Sequence, residues 1–114
     1  MKVYHGILTE SGTAKVIVID SNGERELPLR LDLQSRSPAG FAWGYRGAGP
    51  KQLALALLAD AAGDDDLALY HHQNFKWAVI AVLPPNRGWR ITSADIYSWI
   101  AGKQKFITGI IVPA

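Results

Sequence analysis

Two runs rich in β-branched and apolar residues open the chain, at Val3–Thr9 and Ala14–Asp20, and both predict strands. A polar connection that suits a hairpin separates them. Asn22–Gly23 then signals a second turn, because both residues tolerate the positive φ of a type I′ turn. Glu24–Leu31 is predicted as a third strand, which Pro28 pushes towards a sheet edge or an early end. The first third therefore predicts an antiparallel β-meander.

A helix is predicted to start at Pro50, because proline suits the first helical position, where its missing N–H would be unpaired anyway. Alanines and leucines make this helix apolar on most sides; the leucines are Leu53, Leu55, Leu57 and Leu58. A helix of this kind is expected to be central and buried. Gly63 is its predicted end.

Asp64 is predicted to cap a second helix, with Asp65 and Asp66 in its first turn favoured by the helix dipole. The predicted apolar face consists of residues at helical spacing: Leu67, Tyr70, His71, Phe75, Ala78, Val79 and Val82. Pro84–Pro85 ends the helix. This explains the acidic run as helix-start chemistry rather than as a metal site.

A third helix is predicted after Thr92, which forms a capping box with Asp95. Its apolar face includes Ile96, Trp99 and Ile100, and Gly102 ends it. Trp89–Ile91 is expected to be a short strand or a link.

The apolar segment Phe106–Val112 predicts a final strand, which would complete the sheet or pair across a dimer. Together these elements predict an α+β fold in a single domain, residues 1–114, in which the meander packs against two or three helices.

Composition narrows the function classes. With 114 residues, 48% of them hydrophobic, the chain is long enough to form a core without covalent staples. It has no cysteine, which excludes disulfides, thiolate nucleophiles and cysteine-ligated metals. The net charge of +2 and the scattered basic residues are unlike a dedicated duplex-DNA binder. No signal peptide or membrane span is visible, so we expect a cytoplasmic protein that does not bind membranes.

The Gly- and aromatic-rich segment Ser37–Pro50 is the most specific pattern in the chain. It leads into a helix N-terminus, where free N–H groups and the dipole attract anions. The candidate ligand-binding residues are Tyr45, Arg46, Gly47, Gly49 and Lys51. The spacing is not that of a P-loop, and Pro50 removes one N–H donor. The alternative is a packed turn, in which the glycines let the aromatic side chains contact the helices.

A second candidate is an interaction surface formed by Arg87, Trp89 and Arg90, since aromatic–arginine combinations anchor protein interfaces. Trp89 follows a polar turn and is expected to be exposed, whereas Trp77 and Trp99 lie on helix faces and are expected in the core.

Catalytic and metal signals are weak. Adjacent histidines such as His71–His72 point about 100° apart on a helix and do not chelate one metal. No serine sits in a nucleophile elbow. We therefore expect no cofactor, no metal and no catalytic residue, and rank an enzyme third.

One longer signature carries a family resemblance: Ser37-Pro38-Ala39-Gly40-Phe41-Ala42-Trp43-Gly44-Tyr45, then Gly47-Ala48-Gly49-Pro50, then Gln52-Leu53-Ala54-Leu55-Ala56-Leu57-Leu58. The chain resembles, over about Tyr4–Ile100, a family of small proteins known only as a domain of unknown function. Many of its members are carried by phages, plasmids and other mobile elements. The resemblance brings no activity, cofactor or catalytic residue, and the position of Lys51 varies within the family.

We expect, as the leading hypothesis, a non-enzymatic binding protein that acts through a protein surface. The mobile-element setting implied by the resemblance suggests an accessory protein that inhibits a host defence system, in the manner of anti-CRISPR or anti-restriction proteins. The alternative is binding of a nucleic acid or phosphorylated ligand at Arg46, Lys51 and the helix N-terminus.

Overall fold

A computed structural model describes residues 1–102 of the chain. The strands are β1 (Val3–Leu8), β2 (Ala14–Asp20), β3 (Gly23–Glu26) and β4 (Trp89–Thr92). The helices are α1 (Ala48–Ala62), α2 (Asp65–Ala78) and α3 (Ser93–Ile100), with a 3₁₀ turn at Ile80–Val82 between α2 and β4. The predicted strand at Phe106–Val112 lies outside the described residues. The fold is α+β, as predicted.

The four strands form one antiparallel sheet in the order β3-β2-β1-β4. The first three strands are the predicted meander, and β4 pairs with the other side of β1. Tyr4 on β1 lies opposite Val18 on β2 and Ile91 on β4, and all three side chains are fully buried. These residues mark the face of the sheet that packs against the helices.

The third strand is shorter than the predicted Glu24–Leu31. It ends at Glu26, and all its residues are exposed. Leu27 still donates its N–H to Val16, but Pro28 cannot donate to a ladder, so the pairing stops there. The chain then leaves the sheet in a loop.

Helix α1 is the centre of the molecule, as its leucine content predicted. Leu53, Leu55, Leu57 and Leu58 have no exposed surface. The helix begins at Ala48, with Gly47 at the N-cap, so Pro50 is the third helical residue rather than the first. It ends at Gly63, whose φ of 64° places it in the left-handed region that favours glycine.

Helix α2 begins as predicted, with the Asp64 carboxylate accepting from the Leu67 N–H at 3.1 Å. Its predicted apolar face is only partly right: Phe75 is buried as predicted, but Tyr70 is 80% exposed, and Ala68 and His72 are buried instead. The helix stops at Ala78, before the predicted Pro84–Pro85. The chain turns there into the 3₁₀ turn, which leaves Val82 67% exposed.

The predicted capping box of α3 is present, with Thr92 and Asp95 each accepting from the other's N–H. Trp99 is partly buried against the core. None of the helices between residues 1 and 102 has the length and apolar character needed to cross a membrane.

The Asp60 carboxylate joins the sheet to the far end of α1. It accepts from the Tyr4 hydroxyl at 2.8 Å, from Lys2 at 3.0 Å and from Arg25 at 2.8 Å. Burial acts to raise the pKa of Asp60, but the hydrogen bonds from Arg25, Lys2 and Tyr4 outweigh it, so the pKa is lowered. Burial and the Asp60 hydrogen bond raise the pKa of Tyr4.

Candidate functional site

The loop between β3 and α1 is held by one buried amide, that of Gln52. Its oxygen accepts from the N–H groups of Arg36 (2.6 Å) and Ser37 (2.9 Å). Its nitrogen donates to the carbonyls of Leu29 (2.6 Å) and Gln34 (3.0 Å). Every hydrogen-bonding position of the amide is therefore used. This anchor places Arg36 beside the first turn of α1.

The Gly- and aromatic-rich segment forms a packed turn at its centre. Trp43 is 3% exposed, contacts Trp89 edge-to-face at 5.4 Å and donates its indole N–H to the Arg87 carbonyl at 3.0 Å. Gly44 has a φ of 85°, and a Cβ there would lie 2.5 Å from Pro85 Cα. This part of the segment is a core feature, as the alternative interpretation predicted.

The predicted exposure of Trp89 is wrong, because Trp89 has no exposed surface. Gly6 on the neighbouring strand makes room for the indole, since a Cβ at Gly6 would overlap the ring. The predicted Arg87–Trp89–Arg90 surface therefore lacks its aromatic member. Arg87 and Arg90 themselves are exposed.

Two of the predicted glycines have packing roles. A Cβ at Gly47 would meet the Tyr45 ring, and one at Gly49 would lie 2.7 Å from Ala42 Cβ. Tyr45 itself is 53% exposed and covers Gly47. The glycines thus bring the aromatic segment close against the start of α1.

Arg46 lies over the ring of Trp77, with its guanidinium carbon 4.2 Å from the ring centroid. The Lys76 ammonium is 4.8 Å from the same centroid. Trp77 is 43% exposed, which corrects its predicted place in the core. Two cations thus cover the aromatic ring on the solvent-facing side of α2.

Lys51, in the first turn of α1, lies near Lys76 and Arg36. Burial lowers the pKa of Lys51, and the nearby charges of Arg36 and Lys76 lower it further. Burial together with the charges of Lys51 and Arg36 also lowers the pKa of His72, against the opposing effect of a hydrogen bond to Leu69. These pKa shifts share a direction because each group is buried and also has positive charge nearby.

We call Arg36, Arg46, Lys51, Lys76 and Trp77 the basic–aromatic patch. Within residues 1–102, none of its four cations forms an ion pair. Lys76 is 6% exposed, and its ammonium has no hydrogen bond or ion pair in the described part of the chain. The carboxylates that form ion pairs in the described residues do so with cations outside the patch. The patch is therefore a concentration of positive charge without internal neutralisation.

Beside the patch, His72 is 5% exposed and donates from Nδ1 to the Leu69 carbonyl at 2.8 Å. Its Nε2 is buried and has no partner in the described structure. The N-terminus of α1 adds to the positive field, since no side chain caps it at Gly47. In contrast, carboxylates stand at the starts of α2 and α3.

Of the predicted ligand-binding residues, Arg46 and Lys51 belong to the patch, and Tyr45 lies next to it. The sequence did not identify Arg36, Lys76 or Trp77. The adjacent basic and aromatic residues Lys76–Trp77 were a signal for this part of the site. That signal could be interpreted only once the exposed side of α2 was known. No group of three or more potential metal-ligating side chains was found among residues 1–102.

A family model matches residues 4–102, which is nearly the whole chain and includes every residue of the patch. The chain belongs to DUF6166, a family of unknown function. No curated protein and no solved structure matches the chain. The DUF6166 domain thus coincides with the described fold.

Proposed function

We propose that this DUF6166 protein is a non-enzymatic binding protein whose ligand is a polyanion bearing phosphate groups. The observation that carries the proposal is the basic–aromatic patch, whose four cations form no ion pair with any carboxylate of residues 1–102. Their mutual repulsion costs free energy in the unbound protein. A bound polyanion would turn that cost into attraction, which is the electrostatic arrangement that anion-binding surfaces use.

The patch offers contacts of different kinds. Arginine guanidinium groups bind phosphate oxygens through two parallel hydrogen bonds, whereas lysine acts as a compact point charge. The uncapped start of α1 adds backbone N–H groups next to Lys51, although Pro50 contributes none. No nucleophile–base pair is needed for such binding.

The proposal predicts binding of inorganic polyphosphate with a strong dependence on salt. With a slope of about −0.7 per phosphate contact, as measured for single strands, four contacts imply an affinity loss of about 50-fold between 50 and 200 mM salt. Isothermal titration calorimetry across this range measures the slope. Absence of binding at low salt would contradict the proposal.

A matched pair of double variants locates the site. Lys51→Gln with Lys76→Gln removes two charges from the patch, and we expect a salt slope reduced by about 1.4. Arg87→Gln with Arg90→Gln removes the same charge from exposed arginines that also form no ion pair with the described residues. It should leave the slope unchanged. Equal losses in both variants would show that charge, and not the patch, determines binding.

A protein partner is a second candidate, favoured by the Arg46–Trp77 contact, because arginine and tryptophan dominate interface hot spots. In this version an acidic protein surface binds the patch in the cytoplasm. The mobile-element setting implied by the family resemblance makes a host defence protein the expected partner. A pull-down with the wild-type chain and with Trp77→Ala tests it; recovery of the same partners by both would contradict it.

A further inference from the structure

The aromatic member of the patch is placed to contact a ligand. Trp77 is 43% exposed, whereas Trp43 and Trp89 are 3% and 0% exposed. Its ring is therefore not needed to complete the core. Tyr45, 53% exposed, follows the same pattern and adjoins Arg46 in sequence. A ligand with phosphate alone would make no use of these rings.

The guanidinium of Arg46 occupies the position over Trp77 that a planar base would take. It lies 4.2 Å from the ring centroid, and no carboxylate within residues 1–102 holds it there by an ion pair. An exposed cation–π contact corresponds to a factor of about 2–5 in an equilibrium constant. A base stacked on an aromatic ring corresponds to about 5–150. A stacked base is thus the stronger of the two contacts with the ring, and its stacking would free Arg46 for a phosphate.

Building on the proposed function, we infer that the ligand of the basic–aromatic patch is a single-stranded nucleic acid. One base stacks on Trp77, and the flanking phosphates bind Arg46, Lys51 and Lys76, with Arg36 at the edge of the site. A duplex keeps its bases stacked on one another and cannot offer one to the ring. The side-by-side arrangement of cations and an exposed ring is that of sequence-tolerant single-strand binding.

The test compares three probes by fluorescence anisotropy at low salt: a labelled oligothymidylate, the same strand annealed to oligodeoxyadenylate, and polyphosphate of similar length as competitor. We expect the single strand to bind at least 10-fold more tightly than the duplex. Trp77→Ala should weaken single-strand binding by about 5–150-fold. It should change polyphosphate binding by less than about threefold, since the loss of the ring also releases Arg46.

Two variants control for folding and for position. Trp77→Phe keeps an aromatic ring on α2 and should retain part of the single-strand affinity. Tyr97→Ala removes an exposed ring whose hydroxyl donates to Ala61, at the opposite end of α1 from the patch, and should leave binding unchanged. Far-UV circular dichroism verifies each fold.

The outcomes separate this inference from the proposed function. Two results would overturn the single-strand inference while polyphosphate binding persists. One is equal affinity for the single strand and the duplex. The other is wild-type affinity for the single strand in both Trp77→Phe and Trp77→Ala. Failure of all three probes at low salt would overturn both. Tight binding of the duplex alone would contradict the stacking argument.

Discussion

Replacement of Gln52 by methionine tests how the loop that carries Arg36 is held. Methionine has the same length but removes all four hydrogen bonds of the buried amide. At about 1 kcal/mol for each neutral hydrogen bond, the expected loss in the free energy of unfolding is about 4 kcal/mol. The loop is partly exposed and can rehydrate its freed backbone groups by opening, so the larger penalty of groups left buried and unpaired does not apply.

Urea unfolding followed by tryptophan fluorescence measures this loss. With a denaturant slope of about 1–3 kcal/mol/M, the midpoint should fall by more than about 1 M. The matched control is Gln73→Met on α2, because the Gln73 oxygen is buried and has no partner in the described residues. The same chemical change there should alter the midpoint little. A loss below about 1 kcal/mol for Gln52→Met, or equal losses in both variants, would refute the anchoring role of the amide.

Gln52→Glu also tests the anchoring role of the Gln52 amide. One carboxylate oxygen would keep the bonds from Arg36 and Ser37, but the other would face the carbonyls of Leu29 and Gln34. The introduced acid should therefore have a raised pKa in the folded state. Because the unfolded chain releases its proton near pH 4.3 and the folded chain at a higher pH, the variant should lose stability as the pH rises from about 4.3. A pH-independent deficit would contradict this account.

Two further predictions concern the core. Asp60→Asn weakens the charge-assisted bonds from Lys2 and Arg25. The expected loss in the free energy of unfolding at pH 7 is limited to about 2 kcal/mol, because both cations are partly exposed. Because the pKa of Asp60 is lowered in the folded state, its contribution is present above about pH 3.9 and is lost as the pH falls through the folded-state pKa. Urea unfolding at pH 7 and pH 3 should show the deficit shrinking; an equal deficit at both would count against the ion pairs. Gly6→Ala forces the buried Trp89 ring to shift and should cost about 1–3 kcal/mol by thermal unfolding. The cost should be smaller in a Trp89→Phe background, and an unchanged cost there would contradict the clash.

Local signals in the sequence were reliable where the structure depends on neighbouring residues. The Asp64 cap, the Thr92–Asp95 capping box and the Gly63 helix end are set by backbone geometry and hydrogen bonds within a few residues. The turn before β3 forms where it was predicted, but its predicted type I′ is wrong, because Gly23 has a positive φ and Asn22 does not. The buried character of α1 also followed, because apolar residues on most sides leave a helix no solvent face. These features together determined the α+β class.

The side of α2 that faces solvent was decided only by the tertiary structure. Its apolar residues fit two neighbouring faces, and packing against α1 selected the one with Ala68, His72 and Phe75. That selection exposed Trp77. Trp89 is buried because Gly6, which has no side chain, leaves space for its ring. Helical spacing cannot distinguish such alternatives, because it describes one element and not the surface it meets.

The candidate site likewise depends partly on local sequence signals and partly on the tertiary structure. The sequence pointed to Arg46 and Lys51, because a basic residue beside a helix start has a local electrostatic meaning. Arg36 and Lys76 come from a loop and from a different helix, and only folding brings them to Lys51. Sequence alone thus determined the elements and one side of the site. The patch is a long-range arrangement in which Arg46 and Lys76 lie over an exposed ring while Arg36 and Lys76 lie near Lys51. It depends on the Gln52 anchor and on the side of α2 that faces solvent.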